Sequence, residues 1–170
     1  MAEHADSTIW AYLAGIIDGE GSIGTTRTGK YRNVVGRLIV ANTNEALLHT
    51  LKQRHGGTIT KRKKAFGEGW KPFCSIAWTN RGALRILETV LPYLIVKRPQ
   101  AEVCIRLIRM RDRPKNERFI FIHDPCPGMP SRHNMRVRPE VSEQEFSLAV
   151  QLKTLNRKGI TSFEPPAWLS

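Results

Sequence analysis

Apolar residues recur at helical spacing at Ile9, Trp10, Leu13, Ile16 and Ile17. Ser7 stands before them as a candidate N-cap, and the Gly-rich stretch from Gly19 to Gly24 ends the pattern. Two β-branched, partly alternating runs follow, Ser22 to Thr28 and Tyr31 to Ala41, separated by Thr28-Gly29-Lys30, which predicts an antiparallel hairpin. Asn44 is placed to cap a second helix whose apolar face is Leu47, Leu48 and Leu51, and Gly56-Gly57 stops it. A strand from about Thr58 to Phe66, a turn at Gly67-Glu68-Gly69 and a return strand carrying Phe73, Cys74, Ile76 and Trp78 make a second hairpin. Helices then run from Asn80 to Leu94, with Pro92 bending or ending the run, and from Gln100 to Met110, opened by Pro99. The order is αββαββα plus one helix, an α+β arrangement.

After Met110 the pattern changes. A charged stretch at 111–115 precedes a short apolar run, Phe119 to Ile122, and a Pro/Gly-rich loop from Asp124 to Arg138. Ser142 and Glu145 have the spacing of a capping box ahead of Phe146, Leu148, Ala149, Leu152 and Leu155, so a further amphipathic helix is expected before Gly159. The division expected is therefore a core over 1–110 and a C-terminal extension over 111–170 with one further helix. No internal repeat is visible, and the first helix with its glycines occurs once.

Charge narrows the function. The 170 residues include 27 Lys+Arg against 15 Asp+Glu, a formal net charge of +12. A polyanionic partner is the direct reading, and nucleic acid suits it better than a membrane, because no apolar run approaches spanning length. The bland alternative is a basic but inert surface. Three cysteines cannot all pair within one chain, and no secretory leader pattern is present, which together suggest a reducing, intracellular setting. Cys74 and Cys104 sit in apolar patterns as small buried hydrophobes. Cys126 with His123 and His133 matches no tight zinc spacing.

The chemistry concentrates at Leu13-Ala14-Gly15-Ile16-Ile17-Asp18-Gly19-Glu20-Gly21. Ala11 and Gly15 lie on one helical face, and Gly19 continues that line, so two such helices could approach backbone to backbone. Two carboxylates, Asp18 and Glu20, follow at the junction of helix and strand. An acid facing phosphate in so basic a protein is costly unless a divalent cation lies between them. A Gly-rich helix stop with two solvated acids is the plainer reading of the same residues.

Residues 13–21 resemble the LAGLIDADG signature of the homing endonucleases, with Glu20 at the position of that family's metal-binding acid, where Asp is commoner. The resemblance extends over roughly residues 7–110, since αββαββα is that family's core order. The segment 91–101 resembles the stretch before the family's last core helix and makes Lys97 the candidate active-site lysine. Asn42 is similar in placement to a polar residue that holds water there, with Asn44 as the cap. The resemblance implies a site-specific endonuclease that hydrolyses both strands of DNA at a long pseudo-palindromic site, with roughly two or three Mg²⁺ per dimer at the Glu20 pair. It further implies a homodimer joined through Ala11, Gly15, Asp18 and Gly19, with Asp18 holding the turn near the interface. The antiparallel sheet would read DNA, and alternation from Glu20 selects Ser22, Gly24, Thr26, Thr28, Asn33 and Arg37, joined by Thr60, Arg62, Lys64 and Ser75. No membrane and no small-molecule cofactor is expected, and the setting would be a microbial or phage-infected cytoplasm or nucleoid, or an organelle matrix. The alternative within the same fold is a DNA- or RNA-binding maturase or regulator that has lost cleavage.

Overall fold

A computed structural model of the chain describes residues 2–28, 33–62, 73–113, 117, 119–121, 135–137 and 139–158. Helix α1 (Ala2–Glu20) leads into β1 (Gly21–Thr28) and β2 (Asn33–Asn42). Then come α2 (Glu45–His55), β3 (Thr58–Arg62), β4 (Phe73–Thr79), α3 (Arg81–Val90), a single 3₁₀ turn (Leu91–Tyr93) and α4 (Arg98–Arg111). Two short strands, β5 (Phe119–Phe121) and β6 (Met135–Val137), and a last helix, α5 (Pro139–Lys158), complete the described elements. The core is the expected α+β arrangement in αββαββα order, and α4 and α5 are the extra helices. No helix among the described residues is long and apolar enough to cross a membrane.

The four core strands pair in the order β1-β2-β4-β3, antiparallel throughout. Alternation sorts their side chains onto two faces. Ile23, Leu38, Val40, Cys74, Ile76 and Trp78 are buried against Leu13, Ala14 and Ile17 of α1, Leu48 and Leu51 of α2, and the inner faces of α3 and α4. Ile76 is 0% exposed, so Ile76→Ala would cost about 2–5 kcal/mol through lost burial and the cavity left behind. Gly36 allows α4 its close approach, because a Cβ there would lie within the side chain of Ile108. At the end of α2, Gly56 and Gly57 have φ of 71° and 100°, which only glycine adopts at little cost, and Asn44 Oδ1 accepts from the Leu47 N–H at the other end.

Several boundaries differ from those expected. Ser7 is no cap, because α1 starts at Ala2 and runs through it. The helix does not end across Gly19–Gly24 but continues through Gly19 and Glu20, and Gly21 opens β1 with no intervening loop. The reason for glycine at 21 is steric: a Cβ there would stand 2.5 Å from the Ile17 carbonyl oxygen. Gly29 and Lys30 of the expected first turn, the expected turn at 67–69 and the end of the expected strand beyond Arg62 lie outside the described residues.

In the C-terminal region, Met135–Val137 is a strand paired with Phe119–Phe121, where the Pro/Gly composition suggested only a loop. Helix α5 starts at Pro139, whose fixed φ and missing N–H suit a first helical position, so Ser142 lies inside it and forms no capping box. Glu145 lies 3.9 Å from Arg111 instead. Phe146, expected on the apolar face, is 62% exposed, and α5 is seated by Val141, Leu148 and Leu152. Asn156 Nδ2 donates to the Ile23 carbonyl at 2.8 Å, which ties the helix to β1.

Candidate active site and nucleic-acid interface

The last turn of α1 carries carbonyls with no intrahelical partner and the negative end of the helix dipole. Lys97 answers both, because its Nζ donates to the carbonyls of Ile17 at 2.9 Å and Asp18 at 2.6 Å. Burial pushes its ammonium below the ordinary lysine range, against the opposing pull of Asp18 and Glu20. Asp18 works from the other side. Its Oδ2 accepts from the N–H groups of Ile95 at 2.8 Å and Val96 at 3.2 Å, and its Oδ1 accepts from the Lys97 N–H at 2.8 Å. The carboxylate is thus turned into its own chain, fixing the turn that carries Lys97. Glu20, two residues on, is exposed at the junction with β1.

Asn42 ends β2. Gly21 pairs with Val40, which brings this end of β2 alongside the helix–strand junction. Asn42 Oδ1 accepts the Asn44 N–H at 2.8 Å, leaving the amide nitrogen as the group that can donate to solvent. Beyond it lies a cluster that sequence reasoning missed, in which Glu45 pairs with Lys61 and accepts from Cys74 Sγ at 3.4 Å. Lys61 holds the Glu45 carboxyl below its usual range, and burial pushes the Cys74 thiol up. The basic run at 61–64 is therefore divided, with Lys61 committed to α2.

The sheet face turned away from the helices is mainly polar. In one register line Gly24 lies beside Arg37, and Arg37 beside Thr79; in another, Ala41, Ser75 and Thr60 are neighbours. Ser22 and Thr60 are exposed, and Gly24, Thr26, Arg37 and Ser75 are half-buried. Thr28 pairs with Asn33 at the far end of the first hairpin, and Arg62 pairs with Phe73. Lys64 lies outside the described residues. A pleated face with alternate polar side chains is a shape that enters a major groove and meets base edges.

On α1, Ala11, Gly15 and Gly19 are exposed in one stripe, and a Cβ at Gly15 or Gly19 would meet nothing within 4 Å. Tyr12 beside them is 62% exposed. Among the described residues no group of three or more His, Cys, Asp and Glu could hold a metal ion. One exposed carboxylate at a helix end nevertheless fits Mg²⁺, a hard cation that keeps several waters and takes one or two carboxylates together with substrate phosphates.

Comparison with known proteins adds the relatives. The chain is 29% identical over 119 residues to the DNA endonuclease I-CvuI of Chlorella vulgaris, covering 65% of this chain and 70% of that protein. The solved structure of the homing endonuclease I-CvuI in complex with its target in the presence of Ca superposes with a TM-score of 0.65 at 21% identity, over 93% of this chain and 87% of the other. This chain shares the fold of the LAGLIDADG homing endonucleases. An archaeal intron-encoded homing endonuclease, I-Vdi141I complexed with DNA, shares the fold with a TM-score of 0.65 at 14% identity, over 94% and 91% of the two chains. The LAGLIDADG homing endonuclease I-GzeII, in complex with its DNA target, matches with a TM-score of 0.54 at 13% identity over 89% of this chain but 46% of its own. No family model matches the sequence.

Proposed function

We propose that this LAGLIDADG protein is a site-specific, metal-dependent endonuclease that cuts double-stranded DNA as a homodimer. The observation that carries the reading is the junction of α1 and β1, where exposed Glu20 stands beside a lysine fixed by two backbone carbonyls, at the edge of a polar sheet face. Its relative I-CvuI is a DNA endonuclease solved with its target and a divalent cation.

In this reading Glu20 of each subunit holds Mg²⁺, roughly two or three ions per dimer. When bound, the metal neutralises phosphate charge and activates water for in-line hydrolysis. Lys97 keeps a positive charge beside the phosphate, and its short bonds to the Ile17 and Asp18 carbonyls place that charge before substrate arrives. Asn42 orients solvent through its amide nitrogen. Asp18 positions Lys97 and does not touch the reacting atoms.

One exposed carboxylate at the α1–β1 junction, Glu20, and one copy of the motif call for two chains. The open stripe at Ala11, Gly15 and Gly19 would let two α1 helices meet. I-GzeII, of which this chain matches 46%, leaves room within one polypeptide for a second unit of similar size. The face bearing Ser22, Gly24, Thr26, Thr28, Asn33, Arg37, Thr60, Arg62, Lys64 and Ser75 would read a pseudo-palindromic site, in a DNA-containing compartment of a microbe or organelle. Incubation with a randomised duplex library in Mg²⁺, followed by sequencing of the cut ends, tests this. One long pseudo-palindromic consensus is expected, and a library left intact would overturn it.

A further inference from the structure

Helix α4 faces two ways. Cys104 and Ile108 look toward β1 and β2, where Cys104 Sγ approaches the Gly24 carbonyl at 3.9 Å and Ile108 fills the space over Gly36. At 3.6 residues per turn, Arg106 and Arg109 lie about 150° around the helix from that pair, on the side away from the sheet, and Arg113 follows just beyond the helix end at Arg111. Opposite them α5 presents Gln144, Ser147 and Gln151, also spaced by three and four residues. Between the two ridges is a groove of about 590 Å³, floored by Met110 and Leu148 and, among the described residues, lined by neither a carboxylate nor an aromatic ring.

The arginine side chains have more to do than balance the helix dipole. Glu88 neutralises Arg109, with Nη2 to Oε1 at 2.7 Å. Arg106 and Arg113 make no ion pair among the described residues, and both are exposed. Both line the groove, where each can meet a backbone phosphate. The amide and hydroxyl wall of α5 supplies neutral groups of the kind that contact phosphate and sugar without reading sequence. The described lining residues include no aromatic ring of the kind that grips single strands by base stacking.

We propose that the α4–α5 groove is a second, sequence-independent site for the phosphate backbone of duplex DNA, on the opposite side of the sheet from the reading face. It takes from the preceding reading only that the sheet face also binds DNA. A protein with both surfaces could hold two DNA segments at once and pass between them during search.

The test uses a labelled 16-bp duplex of random sequence, titrated without divalent metal over a range of KCl, with stoichiometry measured by sedimentation. Wild type should show two classes of site. Arg106→Gln/Arg113→Gln should lose one class and lower that class's slope of log affinity against log salt by about 1.8 units, with an unchanged melting curve. Lys52→Gln/Arg54→Gln, which removes the same charge from exposed α2 positions, should keep both classes. Arg37→Ala should weaken the other class; if it does not, the sheet-face reading fails while the groove stands on its own result. Duplex RNA of equal length should displace the probe no better than DNA. The proposal is overturned if the arginine double variant binds as wild type does, if the α2 control loses the same class, or if the groove takes RNA in place of DNA.

Discussion

Asp18→Asn probes how the turn bearing Lys97 is held. The native carboxylate accepts three backbone N–H bonds, of 2.8, 3.2 and 2.8 Å, from Ile95, Val96 and Lys97. Asparagine keeps one acceptor oxygen. If that oxygen serves Ile95 and Val96, the NH₂ group faces the Lys97 N–H and one charge-assisted bond, worth about 1.5–3 kcal/mol, is replaced by two opposed donors. The two remaining bonds become neutral ones, at about half the strength. Because Asp18 is half-buried, water offsets part of the loss, and the net destabilisation should be about 2–4 kcal/mol. For a chain of this size that lowers the melting temperature by roughly 5–15 °C. Thermal unfolding at fixed protein concentration reads it, and amide exchange at Ile95, Val96 and Lys97 should accelerate. An Asp18→Asn protein within about 0.5 kcal/mol of wild type would refute the argument.

Other substitutions separate the remaining roles. Gly15→Leu meets open space in the single chain, so the chain should still fold, melting lower only by the lost contribution of dimerisation, while light scattering shows a monomer; a dimer that persists removes the α1 stripe as the interface. Arg62→Ala should reduce the salt slope of DNA binding by about 0.9 units if it contacts a phosphate, and no change takes it out of the contact set. His55 is 6% exposed, packs its ring 4.8 Å from that of Trp10, and is held below the usual imidazole value of 6.5 by burial, then by Arg85 and Arg54. Its folded pKa is lowered, so the unfolded chain binds more protons between the two values, and stability should fall as pH drops through 6.5 toward the folded value. Urea unfolding of His55→Leu should show a shallower loss over that window, and an acid limb as steep as wild type would contradict the assignment.

The core was legible where a period or a steric rule acts over a few residues. Ile23, Leu38, Val40 and Ile76 alternate, Leu48 and Leu51 repeat at helical spacing, and the glycines at 56 and 57 stop α2, so the element order follows directly. Glu20 and Lys97 could be singled out only through the family signature, because nothing local shows that residues so far apart meet at one helix end. The three bonds from Asp18 to the 95–97 turn likewise leave no periodic trace. Lys61 looked like part of a basic run until Glu45 was placed beside it by the fold. In the C-terminal region local signals misled, since Ser142 and Glu145 have capping-box spacing inside a helix that Pro139 already starts, and the three-residue strand Met135–Val137 is too short to show alternation.

The central claim is that Glu20 is the carboxylate that holds the metal. Glu20→Gln preserves size and hydrogen bonding but removes the charge, on a side chain that is exposed, so folding and DNA binding should persist. The decisive measurement is the single-turnover cleavage rate of wild type and Glu20→Gln in Mg²⁺, on the site selected from the randomised library, with binding followed in parallel in Ca²⁺. Cleavage by the variant at background level, with the duplex still bound, is the predicted result. A stable, bound Glu20→Gln protein that cuts at the wild-type rate would contradict the account.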